Sequence, residues 1–169
     1  MSTNRITTGA FVRRVGLLGV VAGMRSQLPL ALLAVAANRG EFAATAGRPF
    51  NLLRSRPVAF GFGASSVGEL IGDKFPKAPS RLAPAPLLGR LAFGGAAGAA
   101  VAADAKRPIA LGFGFGALGA LIGSYAGYHA RAFPARTTGW PDPVWAIVED
   151  AVAIGIGLSV TRRTSADDA

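Results

Sequence analysis

The residues of this chain with the clearest chemistry are carboxylates and guanidinium groups set among apolar neighbours. Glu69 stands in "RPVAFGFGASSVGELIGDKF", Arg56 to Phe75, where Ser65, Glu69 and Asp73 recur at a spacing of four. On a helix that spacing makes one polar edge. Glu149 and Asp150 interrupt a second apolar run, "PDPVWAIVEDAVAIGIGL", while Arg25 lies in "AGMRSQLPLA" and Arg90 in "PLLGRLAFGG". A charge near the centre of a bilayer costs at least about 2.5–3.5 kcal/mol, so such groups turn toward protein or trapped water. Two positive groups against the three carboxylates Glu69, Glu149 and Asp150 leave one acid over, and desolvation disfavours the charged form of an unbalanced acid. A proton or cation path follows from that imbalance. The same residues also suit a network of structural ion pairs that sets helix register. Glu149 and Asp150, being adjacent, point about 100° apart on a helix and cannot share one ligand without distortion.

Other chemistries find little support. The chain has no cysteine, which removes disulfides, thiolate nucleophiles and cysteine-ligated metals. His129 is the sole histidine, beside Tyr128 and near Arg131, and anchoring at a membrane interface is its expected role. Trp140 and Trp145 are expected to mark another interface. "ASS" at Ala64 to Ser66 lacks the context of a nucleophile elbow. Gly114-x-Gly116-x-x-Gly119 matches the dinucleotide fingerprint only formally, since no strand precedes it and no acidic residue follows at the right distance. We therefore expect neither an enzyme nor a metal site or cofactor.

The elements that must position these charges are apolar helices. Of 169 residues 51% are hydrophobic and only 16% charged, too apolar a balance for one soluble core of this size. The 23 glycines fit membrane helices better than soluble ones. The net charge of +9 is spread between apolar runs and accompanies no nucleic-acid-binding motif, so it reads as contact with anionic headgroups rather than with nucleic acid. About 20 apolar residues cross the hydrocarbon layer. The candidate spans are Phe11 to Ala37, interrupted by Arg25 and Pro29, then Pro57 to Gly72, Pro86 to Ala103, Pro108 to His129 and Val144 to Val160. The N-terminal run, with Arg13 and Arg14 ahead of it, could also serve as a signal peptide; a retained span is preferred because no small-x-small cleavage site follows. "DKFPKAPSRLAPAP" is a proline-punctuated connector. With five spans, Lys and Arg divide eight to each side, so charge bias assigns no orientation.

The stretch carrying Glu69 is echoed by "RPIALGFGFGALGALIGSYA", Arg107 to Ala126, with ten of twenty positions identical, and in that copy Ala120 and Ser124 stand where Glu69 and Asp73 do. Similar runs precede both, "LAVAAN" and "AAVAAD". The unit is a two-helix hairpin used twice, followed by a final helix, as in transporters with parallel repeats; a small Gly/Ala alphabet could produce the same likeness. Gly112, Gly116, Gly119 and Gly123 fall on one helical stripe, and Gly61, Gly68 and Gly72 repeat it. In lipid, close backbone approach along such stripes is what brings helices together. The whole reads as a single membrane domain over 1–169, with repeat units over about 11–75 and 86–130, a final span over about 141–160 and a disordered tail over 161–169.

The blocks "AGMRSQLPLA", "GELIGDKFPKAPSRLAPAPLLGR", "YAGYHAR" and "PDPVWAIVEDAVAIG" resemble bacterial multi-pass membrane proteins of the domain-of-unknown-function family 4126, from about Val15 to Val160. The resemblance implies an integral membrane protein and carries over no activity or site residues. Joined to the residue pattern, it leads us to expect an all-α integral membrane protein of about five transmembrane helices with glycine-seam packing. As a function we expect a small transporter or channel-like protein of a bacterial cytoplasmic membrane, with Arg25, Glu69, Asp73, Arg90, Glu149 and Asp150 as polar path or buried ion pairs. The alternative is a non-transporting scaffold or lipid-interacting protein in which those charges hold the bundle together. Membrane lipids are the expected partners, and a homo-oligomer is allowed for.

Overall fold

A computed structural model of the chain describes residues 7–44, 47–72, 80, 82–137 and 142–161, with side chains described except at 131–137 and 142–143. Every regular element among them is helical: α1 Thr8–Met24, α2 Leu28–Asn38, a 3₁₀ turn Phe50–Arg54, α3 Arg56–Gly72, α4 Pro84–Asp104, α5 Ile109–Thr137 and α6 Asp142–Thr161. Three are long and apolar enough to cross a membrane: α4 over 21 residues, α5 over the 22 residues Ile109–Ala130 and α6 over the 18 residues Val144–Thr161. At 1.5 Å per residue these run roughly 27–33 Å, matching the hydrocarbon layer. Helices α1 and α3 have 17 residues each, and α2 has 11.

Helix α5 shows how the sequence chooses its solvent. Its inner face is made of small residues, Gly112, Gly116, Gly119, Ala120, Gly123 and Ser124, packed against other helices, while Leu111, Leu118, Ile122 and Tyr125 are exposed. Small residues inside and large apolar ones outside reverse the pattern of a soluble helix and fit an apolar surrounding. On α3, Phe60 is 78% exposed, and on α6 Ile147, Val148 and Val152 also face outward.

The small face of α5 receives two helices. A side chain on Gly94 would meet Ala120 Cβ at 2.7 Å and the Gly116 carbonyl at 2.8 Å, and one on Gly98 would strike the Gly112 carbonyl. Rising numbers on α4 thus meet falling numbers on α5, and the two run antiparallel. Gly19 faces Gly116 and Gly119, and Gly23 faces Ala120 and Gly123, so α1 runs parallel to α5. Helix α1 is the hub of the bundle, packing against α4, α5 and α6 and burying Phe11, Val15, Leu18, Val21 and Ala22, a stripe at helical spacing.

The first apolar run, expected as one interrupted span, divides at Arg25–Gln27 into α1 and the short α2. Pro29 sits in the first turn of α2, where its missing N–H costs nothing. The two helices are not collinear. Val21 and Leu32 both approach the place a side chain on Gly157 would occupy, whereas a continuous helix would hold their backbones about 16 Å apart. Helix α3 then packs on α2 and the 3₁₀ turn rather than into the α1–α4–α5 core. That position corrects one expectation: among the described residues Gly61, Gly68 and Gly72 form no packing seam within the chain, and a side chain at any of them would meet nothing within 4 Å. Their stripe has the same residue types as that of α5, but among the described residues no backbone approaches it. Asp73, Trp140, most of the proline connector and the tail lie outside the described residues.

Two contacts pin the loops. Arg107, in the turn between α4 and α5, sits 5.0 Å over the Phe11 ring and donates to the Thr8 hydroxyl at 3.3 Å, tying that turn to the start of α1. Asn38 ends α2 and donates from Nδ2 to the Ala34 carbonyl at 2.8 Å and the Leu53 carbonyl at 3.3 Å. Asn38→Ala is expected to cost about 1 kcal/mol and to speed amide hydrogen exchange over 39–55 while leaving α4 and α5 protected.

Candidate functional site

Where α1 ends, four backbone carbonyls lose their helical partners, and away from water each must find another donor. The last helical bond of α1 runs from the Arg25 N–H to the Val21 carbonyl at 2.7 Å; the carbonyls after it are the ones left over. The Gly23 and Met24 carbonyls take Arg90 Nη1 at 2.9 and 3.0 Å, so a guanidinium from α4 caps α1. The Ser124 hydroxyl, 2.8 Å from the Ala120 carbonyl, also lies 3.3 Å from the Gly23 carbonyl. On the far side of the break, Glu69 of α3 accepts the Ser26 N–H at 3.0 Å on Oε1 and the Ser26 hydroxyl at 2.8 Å on Oε2. Arg90 Nη2 and Glu69 Oε1 close the loop at 3.3 Å. The charges of α3 and α4 therefore supply what helical hydrogen bonding would have supplied had α1 continued.

Arg25 itself points the other way, to α6. Its Nε donates to Asp150 Oδ1 at 2.6 Å, and its Nη2 contacts the same oxygen. At 1% exposure Arg25 is among the largest fully buried side chains. Such a pair has to offset the desolvation of both charges; here Nε supplies a charge-assisted hydrogen bond and Nη2 a further charge contact to the same oxygen.

Of the residues expected to act together, the structure thus joins Arg25 with Asp150 and Arg90 with Glu69, around one break. Glu149 is buried on the neighbouring face of α6. Asp73 falls outside the described residues. Gly112, Gly116, Gly119 and Gly123 lie against α1 and α4, only Gly123 level with the break, whereas Gly61, Gly68 and Gly72 lie open on α3 among the described residues. His129 is exposed, its ring edge-on to Tyr128 with centroids 5.3 Å apart. Sequence reasoning missed Ser26 and the carbonyls of Gly23 and Met24. The polar pair Ser26-Gln27 just ahead of Pro29 was the available signal, since a proline there disfavours a helical residue before it. No group of three or more metal-ligating side chains gathers among the described residues.

Long apolar helices with small inner faces and ionised groups turned inward define an all-α membrane protein. More narrowly, residues 15–161 match the family model described as Domain of unknown function (DUF4126), and the chain belongs to that family. Neither a curated protein nor a solved structure matches it.

Proposed function

We propose that the chain is a small transporter or channel-like protein, non-enzymatic, resident in a bacterial cytoplasmic membrane, in which the charged break forms part of a proton or cation path. One observation carries the reading: a helix broken beside two buried ion pairs, one bridging α3 and α4, the other joining the end of α1 to α6. Discontinuous helices and intramembrane ionisable groups mark pathways in transporters, because uncoordinated backbone and charge are tolerated there only where something is bound or moved. In this reading α1 and α3, each about 25 Å long, run the same way, both ending at the break, with the short α2 returning between them and lipid and further copies of the chain as allowed partners.

A specific observation favours the second reading, a non-transporting scaffold. Arg90 and Glu69 answer backbone groups at the break so fully that the charges are accounted for by folding alone. Flux separates the two. Purified protein in vesicles of phosphatidylethanolamine and phosphatidylglycerol should carry protons or monovalent cations above the rate of protein-free vesicles. Glu69→Gln and Glu149→Gln, at matched folding, should lower that flux about tenfold or more. Background flux in the unmodified chain and in both variants sinks the transport reading and leaves the scaffold.

A further inference from the structure

Ser66 is the one buried hydroxyl of the described helices that does not bond back to its own helix. Ser124, Ser159 and Thr161 each donate to a carbonyl three or four residues earlier, at 2.8, 2.7 and 2.9 Å, the usual resolution for a hydroxyl in an apolar helix. Ser66 is 6% exposed and its Oγ has no hydrogen-bond partner among the described residues. It lines a cavity between α2, α3 and α6, whose other walls are Arg25, Leu28, Leu70, Asp150 and Ile154. The space for a water-sized occupant is about 10 Å³, enough for about one water molecule.

From this we infer that the cavity is a binding site for a single water molecule, held by the Ser66 hydroxyl and Asp150, and that this water is the route by which protons reach Asp150. The chemistry of the walls selects the occupant. A buried water needs two to four polar partners, and Ser66, Asp150 and Arg25 provide three. A metal cation would need several oxygen ligands and would find one carboxylate, one hydroxyl and the adjacent guanidinium charge of Arg25. The three aliphatic walls leave no room for a hydrated ion. Both guanidinium contacts fall on Asp150 Oδ1, so Oδ2 is the oxygen to which the water donates. A proton arriving on the water passes to Oδ2, leaves neutral water behind and converts the carboxylate to an acid with a weaker hold on Arg25. The other ionisable groups of the neighbourhood are Glu149 on α6 and the Glu69–Arg90 pair. The proton route rests on the transport reading above; the water site does not.

The test uses a property of this chain: it has no cysteine, so Ser66→Cys introduces a single S–H stretching band. Full-length protein in the same vesicles is followed by infrared spectroscopy on transfer from H2O to D2O, with Val67→Cys on the exposed face of α3 as reference. The expected result for Ser66→Cys is an S–H band displaced toward hydrogen-bonded thiols, converted to S–D, and moved again by Asp150→Asn. A band at the position of an unbonded thiol that survives in D2O overturns the water site, and a band indifferent to Asp150→Asn overturns the bridge. Should Ser66→Cys not fold, Ser66→Ala serves: it should shift the carboxylate band assigned to Asp150, and an unshifted band overturns the site. In the flux assay Ser66→Ala should reduce proton flux at least about tenfold. Flux carried by sodium or potassium with no pH change, or proton flux unaltered in Ser66→Ala, overturns the proton route while transport stands. Flux absent from the unmodified chain removes transport and the proton route together, and the infrared result then decides the water site alone.

Discussion

Arg25→Met is expected to lower the stability of the folded chain by about 3–5 kcal/mol, the range seen when one member of a buried ion pair is removed and the other is stranded. Arg25 is 1% exposed and holds Asp150 through two nitrogens, so the variant leaves a carboxylate facing the thioether of the new side chain. The double variant Arg25→Met with Asp150→Leu should recover most of the loss, because two apolar side chains of similar volume can replace a buried pair at little net cost. Thermal unfolding in detergent, read by loss of the monodisperse peak in size-exclusion chromatography, measures all four corners of the cycle. A single variant that unfolds within a degree or two of the unmodified protein would show that α6 is positioned by its apolar contacts and not by this pair. Glu69→Gln should be milder, since the amide still accepts one bond from Ser26.

The second large effect is steric. A side chain on Gly23 would run into the Ala120 carbonyl, the Ser124 nitrogen and, at 2.6 Å, the Gly123 carbonyl carbon. All three are backbone atoms of α5 and cannot rotate aside, so α1 and α5 must part along the whole seam. Gly23→Ala is expected to cost about 1–3 kcal/mol or more and to loosen the Arg90 cap as the Gly23 and Met24 carbonyls move. Gly98→Ala should behave alike, with Val15 Cγ1 at 2.8 Å as well as the Gly112 backbone in the way. Gly61→Ala should have the opposite sign, gaining up to about 1 kcal/mol of helix propensity, because nothing lies within 4 Å of it. The same thermal measurement distinguishes them, and a harmless Gly23→Ala would contradict the close α1–α5 approach.

The contrast between Gly23 and Gly61 also shows where sequence reading stops. The stripe on Gly112 to Gly123 and the stripe on Gly61 to Gly72 are written in nearly the same residues, and spacing alone assigns both to a helix–helix seam. What separates them is which backbone comes near, a tertiary fact: α1 and α4 carry their own glycines to α5, while α3 is left against α2 and the 3₁₀ turn. The helices themselves were legible because hydropathy and proline placement bound them, as at Pro57, Pro86 and Pro108, although α4 begins two residues earlier, at Pro84. The inward turn of the charges was legible too, from the cost of exposing them to lipid. Their partners were not. Two guanidiniums and three carboxylates allow several pairings, and choosing among them requires the bend at Arg25–Gln27, which a continuous apolar run from Leu28 to Ala37 conceals. Ser66 was weighed only within "ASS" as a nucleophile and set aside for want of an elbow, and only the fold reveals that its hydroxyl does not bond back to its own helix.

The register of α1 against α5 sets an electrical asymmetry. The end of α1 lies level with Ser124, six residues before the close of the apolar stretch Ile109–Ala130, so the nearer surface is about 9 Å away and the farther about 23 Å. A transmembrane voltage falling evenly over that thickness drops roughly a quarter of its value on the short side and the rest on the long side. At about 2.3 kcal/mol per elementary charge per 100 mV, a unit charge leaving the break toward the near face would do about a quarter of the electrical work of a full crossing, and about three quarters of the bias would act on its passage through the longer side.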